Sequence, residues 1–266
     1  VIAERPTLGG ARRRASAAFA ALALFALSAG CGGTLSPLRN HAQVGRDAYA
    51  IFVADGPGGL PDLFGVRGDG GPVFQITYTS LAEFAPALSP DGRLLAFLRA
   101  RSVRDTVPGT VWVMNLLTGA ERRLDLPADA APPARVGWTA DGTALYVRAG
   151  AELWRLAAPP APPAARRASP AERFAADTSL GVFLGDPPFA RAVVCDGSLC
   201  AQSDTGQAVP FAEGARDPVR WGPDSVGFLV GDELVVRPVG PGRNRRVGWS
   251  DVPKAVRDLT YFPGAS

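Results

Sequence analysis

With 47% hydrophobic residues, the 266-residue chain can bury a core, but 31 glycines and 25 prolines break it too often for long helices, and this points to an all-β architecture. The 28 basic and 25 acidic residues give a formal net charge of +3. Residues 1–30 hold Arg5, Arg12, Arg13 and Arg14 against Glu4, so 24 of each sign remain in the rest of the chain, which carries no electrostatic footprint for nucleic acid.

In chain order, the first feature is a leader. Arg12-Arg13-Arg14 is a positive start, and Ala15 to Leu27 is an apolar run. The run is shorter than the roughly 20 residues a membrane-spanning helix needs, and it suits the core of a signal peptide. Leu27-Ser28-Ala29-Gly30-Cys31 follows. Small residues directly before a cysteine resemble the lipobox of bacterial lipoproteins, although Ser28 stands where that family usually has a branched aliphatic. The resemblance implies cleavage before Cys31, acylation of its thiol, and a membrane-anchored product. By the same analogy, Gly32 implies the periplasmic side of the outer membrane. Three acyl chains, at ~0.8 kcal/mol per buried methylene, would make release slow. The alternative is an ordinary secretory signal with Cys31 as a bystander. The expected organisation is a signal peptide over 1–30, a lipidated terminus and linker over 31–46, and one folded domain over 47–266.

Three strands are expected next, at 49–55 (YAIFVAD), 60–66 (LPDLFGV) and 72–78 (PVFQITY). A repeating marker then begins: an apolar residue, two spacers, Asp, and a small residue. It reads Leu88-Ser89-Pro90-Asp91-Gly92, Trp138-Thr139-Ala140-Asp141-Gly142, Phe183-Leu184-Gly185-Asp186-Pro187 and Trp221-Gly222-Pro223-Asp224-Ser225. A last copy, Tyr261 to Ala265, has Gly264 in place of Asp. The steps are 50, 45, 38 and 40 residues. A period near 40 with several short strands per unit marks propeller blades.

Each Asp marker precedes an apolar strand (94–100, 144–150, 190–196, 226–232) and then a second (110–116, 151–157, 198–204, 233–239). Short polar strands come third, as at 120–126 and 207–213. The last copy supplies a first strand and lacks the other three, which are the strands at 49–78. Joined, the two ends would complete one blade and close a ring, removing exposed sheet edges. The expected fold is thus an all-β propeller of five blades, or six if the Pro/Ala-rich insertion at 157–179 hides a degenerate one.

The run "SPDGRLLAF" followed by "VWVMNLLTGAERRL" resembles the propeller repeat of the TolB family, which prolyl-oligopeptidase-type enzymes share. Such a repeat speaks for fold rather than activity. It implies that Asp91, Asp141, Asp186 and Asp224 cap turns between the innermost strand and the next, which agrees with the turn chemistry of Asp before a small residue. Trp138 and Trp221 are expected in the core between blades.

Cys195 and Cys200, in "CDGSLC", flank an Asp-Gly turn signal and are expected to sit opposite each other on a hairpin, close enough for a disulfide in an oxidising compartment. Two reduced cysteines or a metal pair are the alternatives, and no Cys or His stands nearby to complete a metal site. The one histidine, His41, lies in the linker, so a Ser-His-Asp or Cys-His arrangement has no base in the domain. "RGDGG" (67–71) is expected to be a turn. No peptidase domain is expected after the last repeat. No cofactor, metal or catalytic residue is expected.

The functional expectation is a lipid-anchored, non-enzymatic scaffold for an envelope protein or peptide. A carbohydrate- or small-molecule-binding propeller is the alternative, and a carboxylate-based glycan- or lactone-cleaving enzyme is the third reading. Trp112, Trp154 and Trp249 separate the first two: core in a scaffold, at least one exposed in a sugar binder.

Overall fold

A computed structural model describes residues 36–101, 109–170, 172, 191–196, 198–202, 206–222, 224–238 and 242–265. Cys31, expected to carry the lipid, and the marker residues Phe183 and Asp186 lie outside them.

The strands following each marker form where they were expected. β1 (Tyr49–Asp55) and β2 (Pro61–Arg67) make a hairpin, with β3 (Gly71–Pro72) and β4 (Phe74–Gln75) after it. β5 (Ala82–Leu88), β6 (Leu94–Ala100), β7 (Thr110–Asn115) and β8 (Glu121–Leu124) form an antiparallel meander. β9 (Pro133–Trp138), β10 (Ala144–Ala149), β11 (Glu152–Ala157) and β12 (Ala165–Arg167) form another. β12 comes from the Pro/Ala-rich insertion and pairs with β11 as an exposed edge. β13 (Arg191–Cys195), β14 (Ser198–Gln202) and β15 (Ala208–Glu213) form a three-stranded sheet. β16 (Ala215–Arg220), β17 (Ser225–Val230), β18 (Glu233–Pro238) and β19 (Arg245–Arg246) form a further four-stranded sheet. β20 (Trp249–Ser250) and β21 (Arg257–Phe262) complete the chain.

β21 does not start a new sheet. It pairs with β1, Tyr49 opposite Phe262 and Val53 opposite Arg257, giving the order β21-β1-β2-β4. The C-terminal strand is therefore the innermost strand of the sheet that the N-terminal strands build. Below this closure sheet is called the first, and those of β5, β9, β13 and β16 the second to fifth.

Packing links neighbouring sheets from the fourth through the fifth, first and second to the third. Tyr49, Ile51, Val53 and Leu63 of the first sheet meet Leu95, Phe97 and Met114 of the second. Leu98, Val111 and Val113 of the second meet Val136, Val147 and Trp154 of the third. Leu199 of the fourth meets Phe228 and Val235 of the fifth. Leu229, Leu234 and Trp221 of the fifth return to Ala50, Phe52 and Phe64 of the first. The fold is a β-propeller closed by its two termini.

Burial follows from this geometry. The second strand of each sheet is packed on both faces, so β1, β6, β10 and β17 are apolar almost without interruption and almost wholly buried. The innermost strands β5 and β21 are less buried, because one edge borders the axis.

The third expected strand, 72–78, is the main departure. Only Phe74 and Gln75 join the first sheet. Gly71 and Pro72 instead pair in parallel with Trp249 and Ser250. A side chain on Gly70 would meet the carbonyl oxygen of Gly248 at 2.2 Å, so only glycine permits this strap.

Ahead of β1, residues 36–47 lie as turns on the seam of the first two sheets. Leu38 is fully buried there, Ser36 Oγ donates to the Leu116 carbonyl at 2.6 Å, and His41 stacks on Phe74 with ring centroids 4.0 Å apart. Among the described residues no helix is long and apolar enough to cross a membrane.

Candidate binding surfaces

The described marker aspartates, Asp91, Asp141 and Asp224, sit where the innermost strand turns into the next. Asp91 Oδ1 accepts from Ser89 Oγ at 2.6 Å and from the Arg93 amide at 3.1 Å, and the Ser89 hydroxyl accepts from the Leu94 amide at 2.9 Å. Asp141 repeats this with Thr139 Oγ1 at 2.6 Å and the Thr143 amide at 3.1 Å. The Thr139 hydroxyl, helped by the Thr143 amide and hydroxyl, holds the Asp141 carboxyl down at about 2. Gly92 and Gly142 follow with φ of 64° and 69°. Each of these two carboxylates caps its own turn. Asp224 is exposed at the matching position of the fifth sheet, where the Trp221 amide closes the turn on the Ser225 carbonyl.

Antiparallel alternation places the marker turns at one end of the sheets, together with the β7–β8 loop, whose Leu116 amide donates to the Arg93 carbonyl at 2.9 Å. The other end carries the β1–β2 hairpin (56–60), the 76–81 connection and the β17–β18 hairpin. Arg257 reaches Asp55 at 3.5 Å and Arg216 reaches Asp232 at 3.8 Å on that end. Tyr78, 76% exposed, projects from the 76–81 connection.

The axis is bordered by bulged strands. Register breaks fall between Phe84 and Ala87 in β5, Pro133 and Arg135 in β9, Arg216 and Val219 in β16, and Arg257 and Thr260 in β21. At three of these bulges a non-glycine residue is left-handed: Ala85, Asp217 and Asp258, with φ of 50°, 50° and 51°. The bulge turns Asp258 towards the neighbouring sheet, where Oδ2 accepts from the Ala85 amide at 3.0 Å. Thr260 Oγ1 accepts from the Leu88 amide at 3.2 Å, and Trp138 Nε1 donates to the Ala87 carbonyl at 2.9 Å.

Buried charge is concentrated in one network in the second sheet. Arg99 meets Glu83 at 2.6 Å and forks onto both oxygens of Glu121 at 2.7 and 2.9 Å. Its guanidinium also lies over the rings of Phe97 and Trp112. Burial raises the Glu83 carboxyl above its ordinary range, against the pull of Thr77 and Arg99. On the first sheet, burial likewise raises Asp62, which accepts from Gln75 Nε2 at 2.7 Å. Among the described residues no three His, Cys, Asp or Glu side chains are grouped to hold a metal ion.

A groove of about 440 Å³ opens between the fourth and fifth sheets. Phe228, Val230 and Val235 form its floor and Ala212 one wall. Glu213 stands on one rim, and Glu233, Arg237 and Arg246 on the other, with Arg246 pairing to Glu233 at 3.2 Å. The groove was not foreseen. Its only trace in the sequence is the alternation of Glu233, Val235 and Arg237 along one face of β18.

Cys195 and Cys200 are bonded across the β13–β14 hairpin, with Cα atoms 6.0 Å apart. They are diagonal rather than opposite: Cys195 faces Ser198, and Cys200 faces Val193. The turn is tighter than the expected four-residue loop, with Asp196 at φ 43°. Of the three reporter tryptophans, Trp154 is buried and Trp112 and Trp249 are part-buried. Trp138 and Trp221 are core, the latter stacked on Tyr261 at 3.7 Å. In "RGDGG", Arg67 and Asp69 pair with each other at 2.9 Å, so the triplet is folded on itself.

No family model and no curated protein matches the chain. Among solved structures, it is similar to TolB from Acinetobacter baumannii, at 14% identity over 96% of this chain and 74% of that one, with a TM-score of 0.49. It is also similar to the β-propeller domain of the Trilobed protease from Pyrococcus furiosus, of open velcro topology (14% identity, 75% and 52% covered, TM-score 0.32). A third similar structure is the acylaminoacyl peptidase of Pyrococcus horikoshii (13% identity, 72% and 36% covered, TM-score 0.31).

Proposed function

We propose that this TolB-like β-propeller is an exported protein, anchored through Cys31, that binds a protein or peptide of the cell envelope without catalysing a reaction. The observation that carries the reading is the groove between the fourth and fifth sheets. Its floor is apolar and its rims bear both signs of charge, which suits a peptide segment with an apolar side chain flanked by charges. Four of the described carboxylates already have structural work, which supports binding over chemistry at those positions. Asp91 and Asp141 are committed to turns, and Glu83 and Glu121 to Arg99.

The test is recovery of envelope proteins with the acylated protein from its own membranes, comparing wild type with Val230→Arg. Partners that survive in the wild type and are lost in the variant support the reading. The same set from both would remove the groove from it. Cys31→Ser should release the protein from the membrane fraction, and retention there would defeat the anchor.

A carbohydrate or small-molecule ligand is the second reading, favoured by Tyr78, the one large aromatic side chain exposed among the described residues, which offers a ring for stacking. Tyr78→Ala would abolish glycan binding under this reading and leave peptide binding intact under the first.

A further inference from the structure

The strand ends, the tether and one exposed leucine lie together, and this inference rests on the anchor proposed above. Residues 36–47 are docked on the propeller rather than free, so the slack between anchor and ring is short. Ser36 is fixed by its hydrogen bond to Leu116, in the β7–β8 loop at the marker-turn end of the sheets. The opposite terminus is held at that same end, the Ala265 amide donating to the Arg46 carbonyl at 2.9 Å. Five residue steps separate Cys31 from Ser36 and can span no more than about 18 Å. The strands are seven residues long at most, so the hairpin end lies roughly 20 Å farther from Ser36 than the turn end.

Directly beside the fixed point is Leu117. It is 49% exposed and, with Tyr78, one of two large apolar side chains exposed among the described residues. Asn115 Oδ1 accepts from its amide at 2.9 Å and holds the loop that presents it. Arg39 and Arg46, both exposed, lie in the docked segment, and the exposed aspartates Asp91, Asp141 and Asp224 stand on the marker turns of the same end. An exposed apolar side chain beside the point where the tether leaves the ring is what a membrane-interface contact requires.

We propose that the marker-turn end of the propeller is apposed to the bilayer that holds Cys31, with Leu117 at the headgroup boundary and the 56–60 hairpin facing away. The bilayer thereby becomes the partner of one face and leaves the groove and the hairpin end to other ligands.

The experiment uses the full chain, processed in a bacterial host and reconstituted in phosphatidylethanolamine–phosphatidylglycerol vesicles. A nitroxide is placed at Leu117→Cys or at Gly58→Cys, where a side chain meets nothing within 4 Å. The wild-type chain, with its own cysteines only, sets the background. Collision with oxygen, which concentrates in lipid, is compared with collision with a water-soluble nickel chelate. The oxygen-to-nickel ratio should be at least threefold higher at 117 than at 58. A flexible insert of about 20 residues after Gly33 should erase most of that difference. Equal ratios, a higher ratio at 58, or no response to the insert would overturn the proposal. Shielding of 117 from both reagents would also overturn it, since a protein would then cover the face. If the protein with Cys31 intact is absent from the membrane fraction, the anchor itself fails and the proposal with it, and fractionation shows this before any spectrum is taken.

Discussion

The Tyr49 hydroxyl donates to the carbonyl oxygen of Gly92, joining the strand that opens the fold to the first marker turn. The same turn is closed from the other side by Phe262, against whose ring a Cβ on Gly92 would stand at 2.6 Å. One glycine is thus pinned between the first strand of the closure sheet and its last. Gly92 also has a left-handed φ of 64°. Gly92→Ala should therefore destabilise by about 1–3 kcal/mol, from overpacking and strain together. Tyr49→Phe should cost about 1–2 kcal/mol, because it strands a buried carbonyl. Both are read from denaturant midpoints.

The tyrosine adds a pH signature. Burial, reinforced by the charge of Asp91, raises its ionisation above the ordinary 10.0. The folded state therefore holds the phenolic proton more tightly than the unfolded chain does. Its contribution is complete below pH 10 and declines as pH rises further. Wild type should lose stability above pH 10 more steeply than Tyr49→Phe, and parallel curves would contradict the assignment.

The ring closure was legible in the sequence because one marker copy lacked three strands and the first three strands lacked a marker. Period-2 patterning and Asp-Gly turns are local signals, and β6, β7, β10, β11, β17 and β18 emerged from them nearly to the residue. The parallel strap of Gly71 and Pro72 was not legible, since it depends on Gly248 lying above Gly70, some 180 residues away in sequence. Nor was the docking of Leu38, which occupies a gap between two sheets that no local pattern describes. The groove escaped for the same reason: its walls come from different sheets.

Acid should act on Asp141. Its carboxyl is held at about 2 by Thr139 and the Thr143 groups, below its ordinary 3.8. A lowered value means the stabilisation is present above pH 3.8 and is lost as pH falls towards 2. Asp141→Asn should lower the melting temperature by a few degrees at neutral pH and flatten the dependence between pH 4 and 2. An unchanged acid limb would assign the loss to other carboxylates.

Arg99 should be costly to remove. Arg99→Met leaves Glu83 buried without its counter-charge, a loss of about 3–5 kcal/mol. Adding Glu83→Gln to that background should recover part of it, because the uncompensated charge goes. A double-mutant cycle in urea measures this, and strict additivity would show that the two residues do not act as a pair.

The cysteine pair closes a loop of only a few residues, so its cross-link restrains little of the unfolded chain. Protein exported to an oxidising compartment should show no free thiol at Cys195 or Cys200 by alkylation before reduction, and two after it. Reduction should then cost about 2 kcal/mol or less. Free thiols in the exported protein would remove the disulfide.

Asp258 offers the sharpest test of the bulged strands at the axis. Its backbone is left-handed, a conformation that Asp tolerates better than Ala, and its carboxylate accepts the Ala85 amide of the neighbouring sheet. Asp258→Ala removes both supports at once and should cost about 1–3 kcal/mol. Asp258→Asn keeps an oxygen acceptor and an equally tolerant backbone, so it should cost less than half as much. Asp258→Gly relieves the backbone and loses the acceptor, and should fall between them. If Gly matched Asn, the carboxylate would contribute nothing across the seam and the bulge would be a matter of backbone alone. If Gly matched Ala, the hydrogen bond to Ala85 would be the whole effect.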